Sequence, residues 1–145
     1  MPVNHDNAHW TLAAVWPARR RIEHYCSLSG AAGRQVVVTL LRYMMQEASD
    51  KGSLAAPVFD DDEEEDDDHD GDEGVVGSPR WQGCRVRCGV PRQSDGSACG
   101  VFVAAMAARL AAGRGAPFGL SQADVPALRL RIAADCLARH AAPVI

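Results

Sequence analysis

Cys99 has the setting best suited to covalent chemistry. It stands in RQSDGSACGVFVAAMAARL, after a Ser/Asp/Gly turn and at the first turn of a segment whose alanine-rich composition predicts a helix over about 97–112. Free N–H groups and the positive end of a helix dipole favour thiolate over thiol there, and a thiolate at neutral pH is a nucleophile for acyl transfer. Gly96 and Gly100 on either side leave room for a substrate backbone. Such a nucleophile needs a base. His9, at the head of the apolar segment HWTLAAVW, is the candidate, because a strand can hold an imidazole rigidly toward a neighbouring helix N-terminus. His5 and His24 compete with it; His69 lies in an acidic run and His140 near the C-terminus, which suits neither to the role. Taken singly, each residue also has a plainer reading: a small buried helix residue for Cys99, a core or surface residue for any histidine.

Two other spacings suggest metals and fall short. Cys84-x-x-x-Cys88 places two thiols on one face of a strand, but no second ligand pair follows at zinc-site spacing. Asp66-x-Asp68-x-Asp70-Gly71 resembles the opening of a calcium loop, yet its twelfth position is Gly77 rather than Glu. No metal or cofactor is expected.

The elements that must position Cys99 and His9 follow from periodicity. HWTLAAVW and RRIEHYCSL read as a hairpin with Pro17 and Ala18 at the turn, and Ile22, His24 and Cys26 on one face. A turn centred there pairs His9 with Cys26 and Trp10 with Tyr25. Residues 31–48 read as a helix with Val37, Leu40, Leu41, Met44 and Met45 on its apolar side. WQGCRVRCGV reads as a short strand ending at Pro91. A last helix runs from near Asp124 to His140, with Asp124 or Ser121 as N-cap and Pro126 in its first turn.

The chain has 145 residues, enough for one domain with a real core, and its hydrophobic and charged fractions are ordinary for a globular protein. No run approaches the roughly 20 apolar residues that span a membrane, and the N-terminus lacks the pattern of a signal peptide. Five cysteines, an odd number at irregular spacing, point to reduced thiols in a cytoplasmic or nuclear setting. Asp60 to Glu73 holds 12 of the 19 acidic groups, so the rest carries 15 basic against 7 acidic groups. A body of formal charge +8 suits an acidic partner surface, while a nucleic-acid partner is not expected, and the acidic run could equally fold back over the basic face. Residues 60–80 read as a disordered acidic insertion.

His9-Trp10, Tyr25-Cys26-Ser27-Leu28, Gln93 and Cys99-Gly100-Val101-Phe102, followed by Asp124, Leu128, Arg129 and Ile132, form an ordered set covering nearly the whole chain. In this order and spacing it resembles the ubiquitin-like-protein protease family, which includes the SUMO-deconjugating, sentrin-specific proteases and is related to the adenoviral protease. The resemblance implies an α+β, papain-like cysteine proteinase fold, in part, with a small mixed sheet flanked by helices. Residues 1–145 are expected to form one catalytic domain without the family's N-terminal helical half. The implied activity is cleavage after the Gly-Gly tail of a SUMO-like or other ubiquitin-like modifier, the expected partner. Cys99 would be the nucleophile, His9 the base and Gln93 an oxyanion donor together with the Cys99 N–H. Trp10 would wall the glycine channel and Gly100 admit the tail. Two residues depart from the pattern. Cys26 stands where the family has the aspartate that orients the histidine, and a neutral thiol is a poor acceptor that cannot stabilise imidazolium as a carboxylate does. Ala98 replaces the aspartate before the nucleophile. The alternative is therefore an impaired pseudoenzyme that binds a ubiquitin-like protein.

Overall fold

The structure, a computed structural model, describes residues 1–28, 33–51 and 81–141, with side chains as far as 138. The acidic insertion expected at 60–80, with the calcium-type spacing and His69 inside it, lies outside the described residues, as does the His140 side chain. Strands β1 (Pro2–His5), β2 (His9–Trp16), β3 (Arg21–Tyr25) and β4 (Gln82–Val86) form one mixed sheet in that order. β1–β2 and β2–β3 are antiparallel, β3–β4 parallel. Among the described residues three α-helices accompany it: α1 (Gly33–Asp50), α2 (Cys99–Ala111) and α3 (Val125–Ala141). Among the described residues no helix is long and apolar enough to cross a membrane.

β1 was not anticipated from the sequence. It exists because Asp6 and Asn7 take positive φ (50° and 56°), a conformation that these two residue types tolerate better than most. The Ala8 N–H donates to His5 O at 2.9 Å, and the Asn7 N–H donates to Asn4 Oδ1 at 2.8 Å. His5 is thereby set opposite His9.

The β2–β3 register also differs from expectation. Leu12 pairs with Tyr25 and Trp16 with Arg21, so Trp10 faces Asn4 of β1 rather than Tyr25, and His9 is not the ladder partner of Cys26. The turn is longer than the minimal one. Pro17–Arg19 forms a single 3-10 turn, and Arg20, at φ 49°, donates its N–H to Pro17 O. The slip is two residues, so every side chain keeps the face assigned to it.

Each face of the sheet meets a different helix. Leu12 and Tyr25 join Phe102 and Met106 of α2 and Phe118 beyond it, all at most 2% exposed. Tyr25 and Phe118 pack edge to face at 5.4 Å. On that face Glu23 Oε2 accepts from the Trp16 indole (2.6 Å) and the Tyr25 hydroxyl (2.7 Å), while Oε1 pairs with Arg21 (2.9 Å). The opposite face, with Ile22 and His24, lies under α1. Helix limits fall within two residues of those expected, whereas β4 ends at Val86, well before Pro91. Gly89 turns the chain there at φ 67°, with Pro117 filling the space a side chain would need.

α1 approaches β4 at Gly83, where a Cβ would stand 2.2 Å from Val37 Cγ1 and 3.0 Å from Leu41 Cδ1. Gly83→Ala is expected to lower stability by about 1–3 kcal/mol through overpacking. Gly100→Ala, with nothing within 4 Å, should cost none of that. Equal urea midpoints for the two variants would contradict this account.

Candidate active site

One carboxylate builds the loop before α2. Asp95 Oδ1 accepts the N–H groups of Ser97 (3.0 Å) and Ala98 (2.8 Å), and Oδ2 accepts from the Gln122 amide (2.9 Å). These bonds, that from Ser97 first, hold the Asp95 carboxyl below the usual carboxylate range. A short Asx side chain reaches N–H groups two and three residues on, which is why Asp-Gly-Ser closes this turn. Ala98 itself provides no side-chain cap to α2. The loop is tied further by Gln93 N–H to Ser27 O and Ser94 N–H to Gln122 Oε1, both 3.0 Å, and by Arg129 near Ser97. Cys99 is the first residue of α2 and is buried at 7% exposure, with open space beside Gly96 and Gly100. The sequence reading overlooked Asp95, although its signal was present in Asp-Gly-Ser. Asp95→Ala is expected to speed amide exchange at Ser97 and Ala98 while leaving the sheet amides unchanged; equal protection in both proteins would rule out this role.

His9 opens β2, and its Nε2 lies 3.2 Å from Cys26 Sγ. The same sulfur lies 2.8 Å from Leu28 O, to which the thiol donates its single proton. The hydrogen shared with His9 then belongs to the imidazole, which leaves Nδ1 as the proton acceptor. Burial, the largest influence, pushes the Cys26 thiol up against the opposing pull of its Leu28 contact and of Arg92, so Cys26 brings no negative charge to the ring. Burial, followed by repulsion from His5, lowers the basicity of His9. Cys26 thus meets His9 directly and senses Cys99 only electrostatically; among the described residues no hydrogen bond joins Cys99 to His9.

Gln93 Oε1 accepts the Ser27 hydroxyl at 2.6 Å, and one of its two amide N–H groups goes to Asp95 O at 2.7 Å. Trp10, beside His9, is 42% exposed. His5 and His24, weighed in the sequence only as rivals of His9, lie next to it. His24 is buried, its Nε2 has no partner, and its pKa falls to about 4, through burial first and then the charges of His5, Arg85 and His9. All five cysteines lie outside any disulfide. Cys84 is half-buried beside Arg21 and Cys88 is exposed. Among the described residues no three His, Cys, Asp or Glu side chains are placed to hold a metal.

Residues 1–144 match the model of the Ulp1 protease family, C-terminal catalytic domain. The chain belongs to the Ulp1 protease family. Sentrin-specific protease 5 of Homo sapiens and of Macaca fascicularis is 31% identical over 128 residues, which is 88% of this chain and 14% of theirs. The Chaetomium thermophilum Ulp1-like SUMO protease catalytic domain superposes with TM-score 0.65 at 27% identity, over 92% of this chain and 42% of that one. The SUMO protease Ulp1, with its catalytic cysteine oxidized to a sulfenic acid, gives 0.60 at 20% identity, over 89% and 47%. The C-terminal Ulp1 protease domain in complex with Smt3, the yeast ortholog of SUMO, gives 0.59 at 19%, over 89% and 47%. This chain spans about one-seventh of the curated relatives and under half of these structures. The likeness identifies the α+β architecture as a partial papain-like cysteine proteinase fold.

Proposed function

We propose that this chain is the catalytic part of a cysteine peptidase or isopeptidase that cleaves after the C-terminal Gly-Gly of a SUMO-like or other ubiquitin-like modifier. One observation carries the reading. In a chain of the Ulp1 family, a thiol stands at the head of α2, and a histidine bonded to Cys26 through Nε2 keeps Nδ1 to take a proton.

In this scheme Cys99 Sγ attacks the terminal glycine carbonyl and His9 Nδ1 receives the thiol proton. The imidazolium then protonates the departing amine, and a water deprotonated by His9 releases the glycine carboxylate from the thioester. The second amide N–H of Gln93 and the Cys99 backbone N–H stabilise the oxyanion. Trp10 and Gly100 border the channel for the tail, and Cys26 holds the ring where a carboxylate would otherwise stand. Thiol acyl transfer of this kind requires neither metal nor cofactor. The modifier and its conjugates are the partners.

A second reading, a pseudoenzyme that binds the modifier without efficient cleavage, is favoured by the neutral thiol at Cys26. An electrophilic probe ending in Gly-Gly separates the two. The first reading expects an adduct on Cys99 in the wild type and none in Cys99→Ala. Binding of a ubiquitin-like protein to a folded wild type that forms no adduct would decide for the second.

A further inference from the structure

His5 ends β1 directly opposite His9, and the two imidazoles stack with centroids 6.2 Å apart and planes 24° apart. His5 cannot swing away freely. Its Nε2 lies 2.8 Å from Oγ1 of the fully buried Thr11, and the His24 ring meets it edge-on at 6.5 Å. Its backbone is fixed by the Asp6–Asn7 turn. His9 is thus gripped at its rim by a weak thiol bond and across its plane by a second ring that is itself anchored.

We propose that His5 is a positioning residue for His9: its ring fixes the plane of the His9 imidazole, while its charge, when present, opposes charge on His9. A carboxylate in place of Cys26 would hold and charge-stabilise the ring together; here the holding is divided between Cys26 and His5, and the charge works the other way. The ring contact stands independently of the proposed proteolysis, and only its effect on rate rests on that reading. The titratable groups around His9 are His5 from β1, His24 and Cys26 from β3 and the residue after it, and Cys99 of α2 acting through Cys26; Arg85 bears on His24 and Arg92 on Cys26.

The test compares wild type, His5→Phe and His5→Ala. Ring 15N shifts of His9 report tautomer and titration, and the rate of Cys99 labelling by the Gly-Gly probe is followed against pH. Both variants remove the imidazole that stacks on His9 and repels charge there, so the His9 midpoint should rise in both. Phenylalanine keeps a platform, so His5→Phe should hold the single Nε2–H tautomer and a plateau rate within about twofold of wild type. His5→Ala should give mixed tautomers and a plateau lower by about tenfold. Unchanged His9 titration in both variants, or identical tautomer ratios in the alanine and phenylalanine proteins, would overturn the proposal. A wild type that never labels defeats the proteolytic reading alone, because the ring shifts still decide this one.

Discussion

Cys26→Asp is expected to accelerate acylation of Cys99 by between about tenfold and 10⁴-fold, the upper figure being the loss seen when a serine protease's orienting aspartate is neutralised. At present the sulfur beside His9 Nε2 is pushed toward its protonated form by burial, and the imidazole is pushed toward its neutral form by burial and His5. Both effects oppose the thiolate–imidazolium pair. A carboxylate at that point accepts the Nε2–H and stabilises the cation, so it should raise the His9 pKa and shift the acid limb of the rate profile upward. Leu28 O would lose its thiol donor and face a carboxylate, so part of the gain is offset by local repulsion. Cys26→Asn supplies orientation without charge and should fall between the two. Labelling rates of folded proteins with the Gly-Gly probe measure the series. An aspartate variant no faster than wild type would mean that the side chain at 26 is not what limits the site.

The second large effect concerns stability in mild acid. His24 is 2% exposed, has an unpartnered Nε2, and has a pKa lowered to about 4. The unfolded chain takes up this proton near pH 6.5. Stability from keeping His24 neutral is therefore complete above about 6.5 and is lost as pH falls toward 4, by roughly 3 kcal/mol in all at 1.36 kcal/mol per unit. The ring has little room to adjust, since α1 approaches it at Gly33, where a Cβ would stand 2.5 Å from Nδ1. Urea unfolding from pH 7 to 4.5 should show a steep fall for wild type and a much flatter one for His24→Leu, whatever that variant's absolute stability. Parallel slopes would show that another group carries the acid sensitivity.

Legibility in the sequence depended on how local each signal was. α1 and α2 were readable because their signals, apolar spacing in the first and alanine-rich composition in the second, lie within the segment itself. The hairpin was readable as an element but not in register, since the left-handed Arg20 that lengthens its turn carries no glycine to mark it. The contact between His9 and Cys26 survived that error because a two-residue slip preserves faces, leaving the pair as diagonal neighbours. β1 escaped because four residues with a central polar Asn4 give almost no alternation to read, and Asp6-Asn7 announces a turn only once a partner strand is assumed. Ile22 and His24 were readable as alternating residues of one strand, yet the burial of His24 without a partner follows from α1 crossing above it. That is a long-range fact. Asp95 stands in a readable Asp-Gly-Ser turn, but its bond to Gln122, 27 residues on, is set by the tertiary fold.

The strand order leaves β1 and β4 as the sheet's two outer strands among the described residues. β1 is four residues long and contains Pro2, which has no N–H to offer a further strand. β4 is five residues long and carries Arg85, with Arg87 just past its end, so a second chain laid alongside would bring like charges together. Neither border is a good template for intermolecular pairing. Aggregation through sheet extension is therefore disfavoured, and association that a reductant reverses should run through the exposed Cys88.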